Sequence, residues 1–170
     1  MSTVYFVCVG NTCRSPMAAA IFNQLARERG IEGVRADSFG IVPFYGDSDD
    51  VRELRESAVR EVMGEVDGLR DHRPKGIGDV TFQEGDRIVL LDSSRSRELF
   101  IGIQKNLSFR CKRFPMHILN TDDPFGGTVE GYINCCLFLK EWIEDNLGGI
   151  TRIICSWMAP ENGTNMNTIE

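Results

Sequence analysis

Apolar residues along this chain fall into short continuous runs that alternate with stretches whose apolar positions recur every three or four residues. Val4 to Val9 is a β-favouring run, and Val34 to Phe39 is a second. Arg87 to Leu91 is an almost unbroken apolar segment, the pattern of a strand covered on both faces. Phe114 to Ile118 reads as a fourth strand. Between them, the segment from Ser15 to about Arg29 predicts a helix, with Ser15 as N-cap, Pro16 in the first turn and Gly30 as the stop. Asp50 to Val66 carries Val51, Leu54, Ala58, Val59 and Val62 at helical spacing. A helix is expected from Ser93 to about Gln104, and a long one from Val129 to about Leu147, ended by Gly148-Gly149. Ile150 to Trp157 is apolar enough to pack back on the body, and the polar stretch from Ala159 is expected to be a mobile tail.

Strands alternating with helices predict an α/β protein built on a parallel sheet with right-handed crossovers. Ligands of such sheets bind beyond the carboxyl ends of the strands. No internal repeat or long linker divides the chain, so one domain over residues 1–158 is expected, followed by the tail 159–170.

Composition narrows the class. The chain has 170 residues, 42% hydrophobic and 26% charged, an ordinary soluble balance. A net charge of −6 argues against nucleic acid as partner, which needs a basic face. No apolar run is long enough to span a bilayer, and no signal segment is recognisable, so a cytoplasmic protein is expected. Cysteines stand at 8, 13, 111, 135, 136 and 155, with only His72 and His117 beside them. That spacing fits no structural metal site, and a cytoplasmic address disfavours disulfides. Cys135 and Cys136 are expected to be buried as small hydrophobes. No metal and no cofactor is expected.

The chemistry concentrates in Val7-Cys8-Val9-Gly10-Asn11-Thr12-Cys13-Arg14-Ser15-Pro16. A loop between a strand and a helix must turn its N–H groups inward at the positive end of that helix, which makes an anion site. Cys8 lies at its floor, where this field favours thiolate. Arg14 closes it with a fork matched to two phosphate oxygens. A nucleophile in a phosphate cradle implies phosphoryl transfer to sulfur. The leaving group then needs a proton donor, for which Thr121-Asp122-Asp123-Pro124-Phe125-Gly126-Gly127 offers a carboxylic acid on a separate loop.

The first motif resembles the active-site loop of the low-molecular-weight protein tyrosine phosphatases: Cys, five residues, Arg, Ser, with Gly-Asn inside and Pro after the Ser. The second resembles that family's Asp-Pro-aromatic acid loop. The resemblance covers roughly residues 1–147. It implies a four-stranded parallel sheet flanked by helices, a flavodoxin-like fold, no metal, and hydrolysis of a phosphorylated protein through phosphocysteine. It also implies roles: Cys8 nucleophile, Arg14 clamp, and Asp123 acid, with Asp122 as the alternative. Asn11, Ser15, Ser38 and His72 would support the loop. Val9, Gly10, Thr12, Cys13, Phe44 and Phe125 would line the substrate site. Relatives join the two loop cysteines under peroxide, so a Cys8–Cys13 disulfide is an expectation of the resemblance.

Thr12, where tyrosine-specific members often carry Ile, and Asp-Pro-Phe-Gly-Gly, where they usually carry Asp-Pro-Tyr-Tyr, resemble the family's protein arginine phosphatase branch. Phosphoarginine is therefore the favoured substrate and phosphotyrosine the alternative. Arsenate reduction would need two further cysteines after the third strand, where Leu90-Leu91-Asp92-Ser93-Ser94 has none. A phospho-residue binding module without catalysis should lack the thiol or the acid, and this chain has both. Sequence says nothing of oligomeric state.

Overall fold

The computed structural model describes residues 1–44, 47–91, 98, 101 and 116–158. Strand β1 (Ser2–Cys8) leads through a loop into helix α1 (Arg14–Glu28), followed by β2 (Val34–Gly40), α2 (Asp49–Met63) and a 3₁₀ turn (Ile77–Asp79). Then come β3 (Arg87–Leu91), β4 (Met116–Leu119) and helix α3 (Val129–Met158). The expected helix over 93–104 lies outside the described residues except for 98 and 101, which are helical. The tail from Ala159 is also outside them.

The four strands form one parallel sheet in the order β2-β1-β3-β4, as the alternation of elements predicts. Cys8 pairs with Gly40, and Val4 with both Ala36 and Arg87. From β1 the chain winds outward to β2 on one side and to β3 and β4 on the other. The carboxyl end of β1, with Cys8, therefore sits at the point where the winding reverses. Strand alternation splits β1 between two cores. Val4, Phe6 and Cys8 face the layer of α1, α2 and α3, packing with Met17, Ile21, Phe22, Tyr132 and Leu139. Tyr5 and Val7 face the other side with Phe39, Ile41, Ile88 and Leu90. There Tyr5, Phe39 and Phe82 close an aromatic cluster with centroids 5.1–5.8 Å apart.

Four helix ends differ from expectation, among them the C-terminus of α2, which stops at Met63 before Gly64 at φ 76° rather than at Val66. Ser15 does not cap α1: the helix begins at Arg14 with Cys13 in the cap position and no side-chain cap, because the Ser15 hydroxyl is engaged elsewhere. At α2, Ser48 is the cap, accepting from the Val51 N–H at 3.3 Å, and the helix starts one residue earlier than its spacing suggests. Gly148-Gly149 does not stop α3, which continues to Met158. Two glycines cost a helix about 1 kcal/mol each relative to alanine. Leu147, Ile143 and Ile150 on the same face are almost wholly buried, and Thr151 Oγ1 donates to the Leu147 carbonyl at 2.8 Å. Burial of those side chains outweighs the glycine cost.

Candidate active site

The loop from Cys8 to Cys13 is shaped by what happens to its carbonyls. Cys8 O accepts from Ile41 N at 3.1 Å, Val9 O from Val42 N at 3.0 Å, and Gly10 O from Phe44 N at 2.9 Å. Asn11 O is bonded by His72 Nε2 at 2.9 Å, and Thr12 O by Arg55 Nη1 at 2.6 Å. Five consecutive carbonyls are thus tied to the segment after β2, to His72 and to α2. In a trans peptide the N–H points opposite to the C=O. Fixing these oxygens on the outside directs the N–H groups from Val9 to Cys13 inward. The Asn11 N–H shows the direction, donating to Cys8 Sγ at 3.3 Å.

Asn11 makes the reversal possible. It adopts φ 58°, a left-handed backbone that asparagine tolerates better than most residues. Its side chain is fully buried and completely engaged. Oδ1 accepts from Lys75 N at 2.9 Å, while Nδ2 donates to Ser15 Oγ at 2.9 Å and Ser38 Oγ at 3.0 Å. Because Ser15 Oγ accepts from Asn11, its own proton is free for Cys8 Sγ, 3.0 Å away. Gly40 is required by proximity: a Cβ there would come within 2.8 Å of Val9 O.

His72 is held by burial well below its ordinary value, at about 4, the Asn11 carbonyl offsetting only part of the desolvation. A carbonyl can only accept, so Nε2 carries a proton and donates it, and burial keeps the ring neutral. Ser38, Asn11, Ser15 and His72 therefore converge on the loop.

Arg14, almost fully buried, reaches toward the second motif. Its Nη2 donates to Asp123 Oδ2 at 2.7 Å and its Nη1 to the Thr121 carbonyl at 3.3 Å. The Asp123 side chain is half exposed, and Oδ1 accepts from Phe125 N at 3.2 Å. Of the two acidic neighbours, Asp123 is the one in contact with Arg14 among the described residues. Phe44 and Phe125, both half exposed, meet edge-to-face with centroids 6.1 Å apart. Thr12 is buried, its hydroxyl 3.6 Å from Cys13 Sγ and over Gly10.

Three engaged side chains escape motif reading. Arg55 and Asp47 form a buried pair at 3.2 Å behind the loop. Tyr132 on α3 places its hydroxyl 3.1 Å from Cys13 Sγ. Burial raises the thiol pKa of Cys13 above its ordinary value, and that of Cys135 to about 12, so neither resembles an activated nucleophile. Arg55 had a signal: it interrupts the apolar stripe of α2, in line with Val51 and Val59. Tyr132 had none, since an aromatic on a helix face reads as core.

Among the described residues no cluster of three or more His, Cys, Asp or Glu side chains could hold a metal. No helix among them is long and apolar enough to cross a membrane.

Residues 3–152 match the family model described as low molecular weight phosphotyrosine protein phosphatase. The chain belongs to that family. A low molecular weight protein-tyrosine-phosphatase of Bacillus subtilis, YfkJ, is 62% identical over 160 residues, covering 89% of this chain and 97% of its own. A protein-arginine-phosphatase of Geobacillus stearothermophilus is 29% identical over 136 residues, covering 76% and 82%. Among solved structures, a low molecular weight protein tyrosine phosphatase from T. tengcongensis superposes with a TM-score of 0.63 at 23% identity, covering 88% of this chain and 99% of that one, and so shares the fold. As a member of the low molecular weight phosphatase family, the chain is a cysteine-based phosphatase. The one thiol in its described structure that lies at the floor of an anion-shaped loop is Cys8.

Proposed function

We propose that this phosphatase hydrolyses phosphorylated protein side chains through a phosphocysteine on Cys8, with phosphoarginine favoured over phosphotyrosine. The observation that carries the reading is the ring of outward-tied carbonyls, which leaves inward N–H groups around a sulfur already accepting from Asn11 N–H and adjacent to the Ser15 hydroxyl. The Cys8 thiolate attacks phosphorus, a sulfur–phosphorus bond forms, and the bond to the leaving nitrogen or oxygen breaks. Asp123 supplies the proton that the leaving atom takes up. The resulting carboxylate accepts a proton from water as its oxygen attacks phosphocysteine, and phosphate departs with the sulfur again a thiolate. Arg14 and the N–H groups hold the three non-bridging oxygens, whose charge grows in the transition state. Ser15 donates to the sulfur whenever it is anionic.

Two features support phosphoarginine. The acid loop is short, closed by Gly127 N donating to Pro124 O at 2.9 Å, and carries no tyrosine. Asp123 already binds one guanidinium, that of Arg14, at the mouth of the loop. The same side chain, protonated on one oxygen, can accept from a substrate guanidinium N–H through the other and then give its proton to the leaving nitrogen. The relative from Geobacillus stearothermophilus is named for that activity. A second reading, phosphotyrosine, is favoured by the name of the relative from Bacillus subtilis and by the Phe44–Phe125 pair, which can bracket a phenyl ring.

The test is hydrolysis of matched phosphoarginine and phosphotyrosine peptides by wild type, Cys8→Ser and Thr12→Ile. Cys8→Ser should fold and lose turnover, because serine has no comparable anion at neutral pH. Wild type should prefer phosphoarginine, and Thr12→Ile should shift kcat/KM toward phosphotyrosine by about 2- to 10-fold, the worth of one polar contact. A wild type that prefers phosphotyrosine, with no change in Thr12→Ile, assigns the second reading.

A further inference from the structure

Helix α2 presents an arginine where its pattern requires an apolar residue. Arg55 lies one turn from both Val51 and Val59, and its side chain is completely buried. A buried guanidinium is costly, and an apolar side chain of similar volume would cover the same face without that cost. A break in local pattern of this kind marks strain or function.

Its partners say what it does. Nη1 donates to the Thr12 carbonyl at 2.6 Å and to Asp47 Oδ2 at 3.2 Å, and Nη2 donates to the Leu69 carbonyl at 3.3 Å. Among the described residues Asp47 is the one carboxylate in contact, and it is shared with Arg52 Nε at 3.4 Å. The guanidinium therefore joins three segments around the site: the Cys8 loop, the segment after Phe44, and the segment that carries His72. Of the five carbonyls tied outside the loop, three are held by main-chain N–H groups and one by a neutral imidazole. Only Thr12 O is held by a cation.

We propose that Arg55 is a positioning residue for catalysis, pinning the Thr12 carbonyl so that the Cys13 N–H of the same peptide is aimed at the phosphate. A charged donor on the carbonyl also polarises that peptide, making its N–H a stronger donor on the other side. The device lies behind the loop, so it acts through the peptide and touches no substrate.

The inference rests on the loop being the phosphate cradle, and wild type tests that first. No turnover of p-nitrophenyl phosphate and no inhibition by inorganic phosphate in wild type would remove the reading beneath it. Given an active wild type, Arg55→Met and Arg55→Lys are compared after circular dichroism confirms folding. In Arg55→Met the inhibition constant of inorganic phosphate should rise, and kcat/KM fall, by about 10- to 100-fold, the worth of one charge-assisted hydrogen bond. Alkylation of Cys8 adds a control, because iodoacetate uses the anion cradle and iodoacetamide does not. The ratio of their rates should drop about tenfold in Arg55→Met, whereas a packing defect would slow or speed both alike. Arg55→Lys, which keeps the cation but reaches fewer acceptors, should recover most of each loss.

A folded Arg55→Met with phosphate inhibition and alkylation ratio within about twofold of wild type overturns the proposal. Should Arg55→Met not fold, the wild-type chain still decides. Saturating inorganic phosphate must shift the Cys13 amide in a ¹⁵N–¹H spectrum together with those of Gly10 to Thr12. A Cys13 amide that stays in place while the others move is incompatible with the role given to Arg55.

Discussion

Acidification should loosen this enzyme through His72. The imidazole is neutral because it is buried, and its Nε2–H is one of the five ties on the loop carbonyls. In the unfolded chain the same group protonates near its ordinary value of 6.5, whereas in the folded protein it does so near 4. Between those values the unfolded state binds a proton that the native state does not, so unfolding becomes easier as pH falls. The contribution is flat above about 6.5, declines through the window below it, and is exhausted below about 4. Integrated from pH 7 to pH 5, it removes about 2 kcal/mol of stability. His117 is displaced in the same direction by burial and by Arg87, so the wild-type slope contains both histidines. His72→Gln isolates the first, because the glutamine amide can donate to Asn11 O and does not titrate. Urea unfolding at pH 7 and pH 5 should show wild type losing about 2 kcal/mol more than His72→Gln over that interval. Parallel losses in the two proteins would refute the argument and mean that the imidazole is protonated as readily folded as unfolded.

Two further expectations concern the acid loop and the second cysteine. Asp123→Asn should lower kcat by roughly 10²- to 10⁴-fold for a substrate with a poor leaving group and far less for an activated aryl phosphate; equal losses for both would indicate positioning rather than proton donation, and a larger effect of Asp122→Asn would move the assignment. Cys13→Ser should leave the reduced enzyme active but make peroxide inactivation harder to reverse with thiol, as expected if Cys13 protects Cys8 as a disulfide partner; unchanged recovery excludes that role.

Much of this architecture is local and was legible from the chain alone. Apolar runs alternating with amphipathic stretches specify strands and helices, because period and propensity are properties of neighbouring residues. With short connections they leave a parallel sheet as the economical packing. The Cys8–Pro16 motif was legible for the same reason: Gly-Asn, the thiol and the arginine act within one loop. Capping was less so. Ser15 has the residue type of an N-cap, yet its hydroxyl serves Cys8 and Asn11, a competition that appears only when the loop is folded. Gly148-Gly149 has the composition of a stop, yet the burial of Leu147 and Ile150 carries α3 through it.

What tertiary structure alone decided is the wiring behind the loop. That Asp123 rather than Asp122 meets Arg14 depends on how two loops 109 residues apart are brought together. The resemblance points to His72 and the broken stripe of α2 marks Arg55, but which carbonyls they hold, 61 and 43 residues away, is not legible in the chain, because hydrogen bonding to a main-chain carbonyl constrains the donor and leaves no mark on the acceptor's residue type. Sequence encodes side chains, and the orientation of a peptide plane is read from its partners in space.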